Sequence, residues 1–156
     1  MNIRLDFEIK GYPGTGRKIE QDSDLSLVYR SDLIQGAFMG DAVMQLGDYD
    51  FSTRFGWVTL IDWCVSLFVS TIDLESSKSS DFQFSESSDF ISFRYHDGLT
   101  FVSASYVPGI AVVQYDKFMR AVRGFVEERM VWISGNFPAA MRNPAMEDIL
   151  GRLRMS

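Results

Sequence analysis

From Ile3 to Ile9 the chain alternates cleanly, with Ile3, Leu5, Phe7 and Ile9 on one side and Asn2, Arg4, Asp6, Glu8 and Lys10 on the other. A period of two sends successive side chains to opposite faces, so the segment predicts a half-buried β-strand, ended at GYPGTG by glycines and a proline that suit a turn. LSLVYR, Leu25 to Arg30, predicts a second strand. In AFMGDAVMQLGDYDFS, Ala42, Met44 and Leu46 alternate with Val43 and Gln45, and Gly47-Asp48 offers a turn before Tyr49 and Phe51. That stretch predicts a hairpin rather than a helix.

The period changes at WVTLIDWCVSLFVSTI, Trp57 to Ile72. Its 16 residues, interrupted by Asp62, fall short of the roughly 20 that span a bilayer, so a core helix is expected. Trp57, Leu60, Ile61, Cys64, Leu67 and Phe68 share a helical face, against a narrow polar stripe of Thr59, Asp62, Ser66, Ser70 and Asp73. LESSKSSD then reads as a polar loop, and SSDF, present at Ser79 to Phe82 and at Ser87 to Phe90, reads as one turn chemistry used ahead of two strands.

Period two returns in Phe82 and Phe84, and again in Ile91, Phe93 and Tyr95. Asp97-Gly98 before LTFVSASYV is a strong hairpin signal. A two-residue loop there fixes the register: His96 opposite Leu99, Tyr95 opposite Thr100, Phe93 opposite Val102, Ile91 opposite Ala104, with Arg94 facing Phe101 and Ser92 facing Ser103 on the second face. From Tyr115, Phe118, Met119, Val122, Phe125, Val126 and Trp132 recur at helical spacing, until Asn136 and Pro138 end the run. Asn143-Pro144 announces a further short helix, with Asn as N-cap and Pro first, acids early and Arg152 and Arg154 late. The expected fold is one α+β domain over residues 1–156. It has a mainly antiparallel sheet of about five to seven strands, packed on one face by the central apolar helix and the long C-terminal helix.

Composition supports a folded core: 46% of residues are hydrophobic and 14% aromatic. The net charge of −6 argues against nucleic acid as a partner, since phosphate binding draws on Lys and Arg. The acidity is concentrated, because residues 1–115 carry 8 basic and 16 acidic side chains. Such a field attracts cationic partners. Cys64 is the sole cysteine, which excludes an internal disulfide or a zinc site built on cysteine pairs, and its apolar neighbours make it a packing residue. The N-terminus lacks an apolar signal region, so a cytoplasmic protein that does not enter a membrane is expected.

The chain's one histidine lies in FQFSESSDFISFRYHDG among serines and acids, which raises the question of a catalytic triad. Geometry rejects a local one: the hairpin puts His96 at its tip, and Ser92 lies more than about 12 Å away along an extended strand. GYPGTGRK lacks the spacing of a phosphate loop. Asp41, Asp48 and Asp50 lack calcium-loop spacing and read as turn aspartates. Asp62, flanked by tryptophans, reads either as a carboxylate with a raised pKa or as a rim carboxylate paired with an arginine. No cofactor, metal or catalytic set is expected.

GDAVMQLGDYDFS with GWVTLIDW, FQFSES with ISFRYHDG, ASYVPGIAVV, and the helix ending in FPAAMRNP together cover most of the chain from Gly40 onward. In these segments the chain resembles an uncharacterised family of small bacterial α+β proteins, which implies one domain and brings no catalytic motif. In size, acidity and pattern it is similar by type to immunity proteins, which neutralise a cognate bacterial toxin. The resulting expectation is a non-enzymatic inhibitor that meets a basic toxin domain through Asp48, Asp50, Glu86 and Asp89, with Tyr49 and Phe82 as aromatic anchors. Two alternatives stand beside it. One is a ligand-binding protein or enzyme using Asp62, Glu86 or His96 with Arg94; the other is a structural subunit or homodimer.

Overall fold

Each half of the chain builds its own antiparallel sheet of four strands, and a helix leads from one to the other. The computed structural model describes residues 1–11, 18–85 and 87–154. In order, the elements are β1 (Ile3–Ile9), α1 (Ile19–Asp22), α2 (Arg30–Gln35), β2 (Met39–Leu46), β3 (Tyr49–Asp50), β4 (Val58–Thr59), α3 (Leu60–Ile72) and α4 (Leu74–Ser77). They continue with β5 (Ser79–Gln83), β6 (Phe90–His96), β7 (Leu99–Ala104), β8 (Val107–Gln114), α5 (Tyr115–Asn136), α6 (Pro138–Met141) and α7 (Pro144–Arg154).

In the first sheet β2 is central. It pairs with β1 along its whole length, from Ile3 with Leu46 to Ile9 with Gly40, and also with β3 and β4. Gly40 is required there: a Cβ would stand 1.8 Å from the Glu8 carbonyl oxygen, so a side chain would force β1 away. The second sheet is a meander in the order β5-β6-β7-β8. The β6–β7 register is the one the Asp97-Gly98 turn dictates, pair for pair. Both turn residues adopt positive φ, 49° at Asp97 and 77° at Gly98, which suits the tight loop to the strand twist.

The expected α+β class holds, with eight strands in two sheets among the described residues where five to seven strands in one sheet were expected. LSLVYR is a turn, not a strand. Leu25 is buried, but Asn143 Nδ2 donates to the carbonyls of Leu25 and Val28, each at 2.9 Å, and Asp24 accepts from the Ser26 amide. Those local bonds replace a strand partner. LESSKSSD is not a loop: it splits into α4 and the start of β5, separated by Lys78 in the left-handed conformation. The first SSDF therefore lies inside a strand, while the second does precede one. LTFVSASYV breaks at Ser105-Tyr106 into β7 and β8, a return strand absent from the expectation. The core helix begins at Leu60, because Val58 and Thr59 are taken up by pairing with β2.

α3 is the hub of a single hydrophobic core. Leu60, Ile61, Trp63, Cys64, Leu67 and Phe68 are buried, and the helix touches both sheets as well as α2, α5 and α7. α5 seals the inner face of the second sheet: the Phe118 and Phe93 rings lie 6.0 Å apart, and each such buried phenylalanine is worth about 1.5–3 kcal/mol. At its start Tyr115 Oη donates to the carbonyls of Thr71 and Ile72 at the end of α3. Further along, Arg129 reaches Asp6 on β1. α7 starts as the sequence requires, with Asn143 Oδ1 accepting from the Ala145 amide at 2.9 Å.

Candidate interaction surface

Alternation in the second sheet sends Ile91, Phe93, Val102, Ala111 and Val113 inward, where all are buried. The opposite face carries Phe90, Arg94, Phe101, Ile110 and Val112, and it meets water: Phe90 is 41%, Ile110 58% and Val112 39% exposed. Arg94, Phe101 and Val112 form one row across three strands. The polar edge of this face is already ordered. Ser92 Oγ donates to Asp81 Oδ1 at 2.7 Å, and Arg94 pairs with the same oxygen at 3.2 Å. The Ser92 bond, backed by Arg94, holds the Asp81 carboxyl below its usual value against a partial burial that raises it.

At Asp89-Phe90 this face runs into the seam between the sheets. The Phe90 amide donates to Ser105 Oγ at 2.9 Å, and that hydroxyl donates to Asp89 Oδ1 at 3.0 Å. Next to it Tyr106 Oη donates to the Phe51 carbonyl at 2.6 Å, a direct link from the second sheet to the first. Burial, reinforced by the charges of Asp89 and Asp50, pushes the Tyr106 phenol up, so it remains a donor at any ordinary pH. Tyr49 stacks on Phe51 and lies against Gly109, where φ is 101° and a Cβ would come within 2.4 Å of Tyr49 Cε1. Asp50 accepts from the Ser52 amide at 3.0 Å, and the Ser52 side chain is the largest influence holding its pKa down.

The structure thus gathers four of the six expected contact residues. Asp48 is exposed in the β2–β3 turn, Tyr49 and Asp50 follow it, and Asp50 and Asp89 both act on Tyr106. Glu86 lies outside the described residues. Phe82 is a correction: at 5% exposure it cannot anchor a partner, because β5 pairs it with Ile91 on the inner face, 5.7 Å from the Trp63 ring and 4.7 Å from Phe84. What the sequence reading missed is the apolar centre formed by Phe90, Phe101, Ile110 and Val112. The signal lay in GIAVV, where both alternating sets are apolar although only one can face the core.

The other candidates stay apart. His96 is exposed at the hairpin tip and pairs with its neighbour Asp97 at 3.2 Å. Asp62 accepts from Ser66 Oγ at 3.3 Å; burial raises its pKa and that bond offsets part of the rise. Among the described residues no arginine forms the expected rim ion pair with it. With Arg94 on Asp81, His96 on Asp97 and Asp62 on Ser66, the three share no partner. Cys64 is buried in the core, and burial pushes its thiol well up.

Asp41 is not a turn aspartate. It sits buried in β2, where Oδ1 accepts from Thr53 Oγ1 at 2.8 Å and from the Gly56 amide at 2.9 Å, and Oδ2 pairs with Lys10 Nζ at 2.9 Å. Among the described residues no group of three His, Cys, Asp or Glu side chains is placed to hold a metal, and no helix is long and apolar enough to cross a membrane. No family model, no curated protein and no solved structure matches this chain.

Proposed function

We propose that this chain is a non-enzymatic binding protein, an immunity-type inhibitor whose partner is a basic toxin domain met in the cytoplasm. The observation that carries the reading is the uncovered face of the second sheet: its apolar centre of Phe90, Phe101, Ile110 and Val112 continues at Asp89 into a seam bearing Asp48, Tyr49 and Asp50. An exposed apolar patch rimmed by polar groups is the usual anatomy of a protein contact. Several of its polar groups are already fixed by bonds within the chain, so docking orders few new side chains. The excess of acids in the first 115 residues steers a cationic partner towards it.

The test is association with the basic product of the adjoining gene, followed by stopped flow at low and high salt. Replacing Asp50 and Asp89 by lysine should slow association at least ~10-fold at low salt, within the range that steering supplies. Ile110→Asp with Val112→Asp should abolish binding through faster dissociation. Association that ignores salt, together with affinity unmoved by both pairs of substitutions, would exclude this surface.

A further inference from the structure

β8 is the last strand of the second sheet, and among the described residues it pairs only with β7. The ladder fixes where its backbone points. Thr100 pairs with Val113 and Val102 with Ala111, and in the same register the Tyr115 amide donates to the Gly98 carbonyl at 2.9 Å. Bonded positions alternate along an antiparallel pair, so Ala111 and Val113 turn their amides and carbonyls to β7. The groups between them face away from the sheet: the amides of Val112 and Gln114, and the carbonyls of Ile110 and Val112. Among the described residues none of these four has a backbone partner.

An open edge invites another strand, and folded proteins guard theirs with charge, proline, bulges or shortness. The other outer strands comply. β1 carries Arg4, Asp6 and Glu8, β5 carries Asp81, and β3 and β4 have two residues each. β8 has eight residues and no charged side chain. Pro108 and the irregularity in its ladder lie between Val107 and Ala111, so they guard only its start. Further along, Ile110, Val112 and Gln114 are all exposed.

We infer that a second copy of the chain covers this edge, its β8 running antiparallel to the first about a two-fold axis at Val112. The free groups select this occupant because they complement themselves. About that axis the Gln114 amide of each copy meets the Ile110 carbonyl of the other, and the two Val112 residues exchange amide and carbonyl. Every outward group is then bonded. The side chains agree: Val112 lies beside its own copy and Ile110 beside Gln114, so no like charges meet. A basic partner strand, by contrast, would find no acid on β8 to recognise. The ladder stops at Gly109, which Tyr49 lies against, and at the start of α5. The row of Arg94, Phe101 and Val112 runs on through the axis into the same row of the second copy. The open face stays uncovered, and the pairing needs no toxin.

Sedimentation equilibrium of the purified chain tests the pairing. A dimer is expected, and added salt should not weaken it, since no ion pair crosses the edge. Val112→Lys sets like charges directly opposite one another and should weaken the dimer at least roughly 30-fold, as should Val112→Glu. An equimolar mixture of these two variants should pair again, to within about threefold of wild type. Val112→Pro removes the outward amide, which no bond within the chain uses, and should leave a monomer, whereas Val112→Thr keeps that amide and should dimerise. Circular dichroism checks that each variant is folded; should the proline variant unfold, the charge-swapped mixture decides by itself. A chain that stays monomeric to the order of 0.1 mM, a dimer indifferent to Val112→Lys or to a folded Val112→Pro, a mixture that fails to pair, or a mass that keeps growing with concentration overturns the proposal.

Discussion

Replacing Asp41 by alanine should cost about 3 kcal/mol of folding stability. Its side chain is only 5% exposed and accepts from two donors of the segment that follows β3, the Thr53 hydroxyl and the Gly56 amide. A hydrogen bond to a charged acceptor contributes about 1.5–3 kcal/mol, and donors left unpaired inside the protein carry that loss in full. Gly56 is only partly buried, so water relieves some of the penalty and the sum falls at the low end. Lys10 adds little, because its ammonium remains in water, where the pairing is screened.

Urea unfolding followed by tryptophan fluorescence should show a lower midpoint with an unchanged slope, and the melting temperature should fall by roughly 6–12 °C for a domain of this size. Asp41→Asn keeps one acceptor and should lose about half as much. The pH dependence follows from the depressed pKa. Burial works to raise it, but the Gly56 amide, Lys10 and Thr53 outweigh burial, and the net shift from the ordinary 3.8 is downward. The stabilisation is therefore complete above that value and fades as pH falls through the lower folded value, so the gap between wild type and Asp41→Ala should narrow in acid. A loss below about 1 kcal/mol at pH 7, or a gap that stays constant into acid, would refute the account.

Asp62 should behave in the opposite sense: its folded pKa is raised by burial, so the ionised form opposes folding at neutral pH, and Asp62→Asn should stabilise the protein at pH 7 but not well below pH 4. Asn143→Ala removes an N-cap and two bonds to the Leu25–Val28 turn; a loss of about 2–4 kcal/mol is expected, with faster amide exchange through that turn. Gly109→Ala should destabilise by more than about 1 kcal/mol in the same urea assay, since the position combines positive φ with a clash against Tyr49. His96→Ala, at an exposed tip, should stay within about 0.5 kcal/mol of wild type in that assay.

Local chemistry was legible wherever one rule governed a segment. The β1 alternation, the Asp97-Gly98 turn with its register, the 3.6-residue period of α5 and the Asn143-Pro144 start of α7 each depend on neighbours within a few residues. LSLVYR shows the limit. Its alternation suits a strand, yet its carbonyls are claimed by Asn143, 115 residues or more along the chain, and no local pattern announces that bond. Phe82 and Phe90 make the same point for the surface. Both follow Ser-Ser-Asp, but the strands that receive them turn one ring inward and the other outward. Which of two apolar faces is covered depends on where α5 settles, a long-range fact. Asp48 and Asp50 are legible as exposed acids because turns leave charged side chains in water, whereas the approach of Asp50 and Asp89 to Tyr106 depends on how the sheets meet.

The contrast in wiring between the sheets has a consequence for the order of assembly. In the meander the widest registered pairs, Ser79 with Arg94 and Leu99 with Gln114, are fifteen residues apart, whereas β1 must find a strand up to 43 residues away, as Ile3 does with Leu46. Short closures form faster because less chain entropy is lost in each. The meander with α5 laid across it should act as the kinetic nucleus, and β1 should dock late. Pulse-labelled hydrogen exchange during refolding should find β5 to β8 protected while β1 amides still exchange. The open sheet face would then be complete before the N-terminal half has closed.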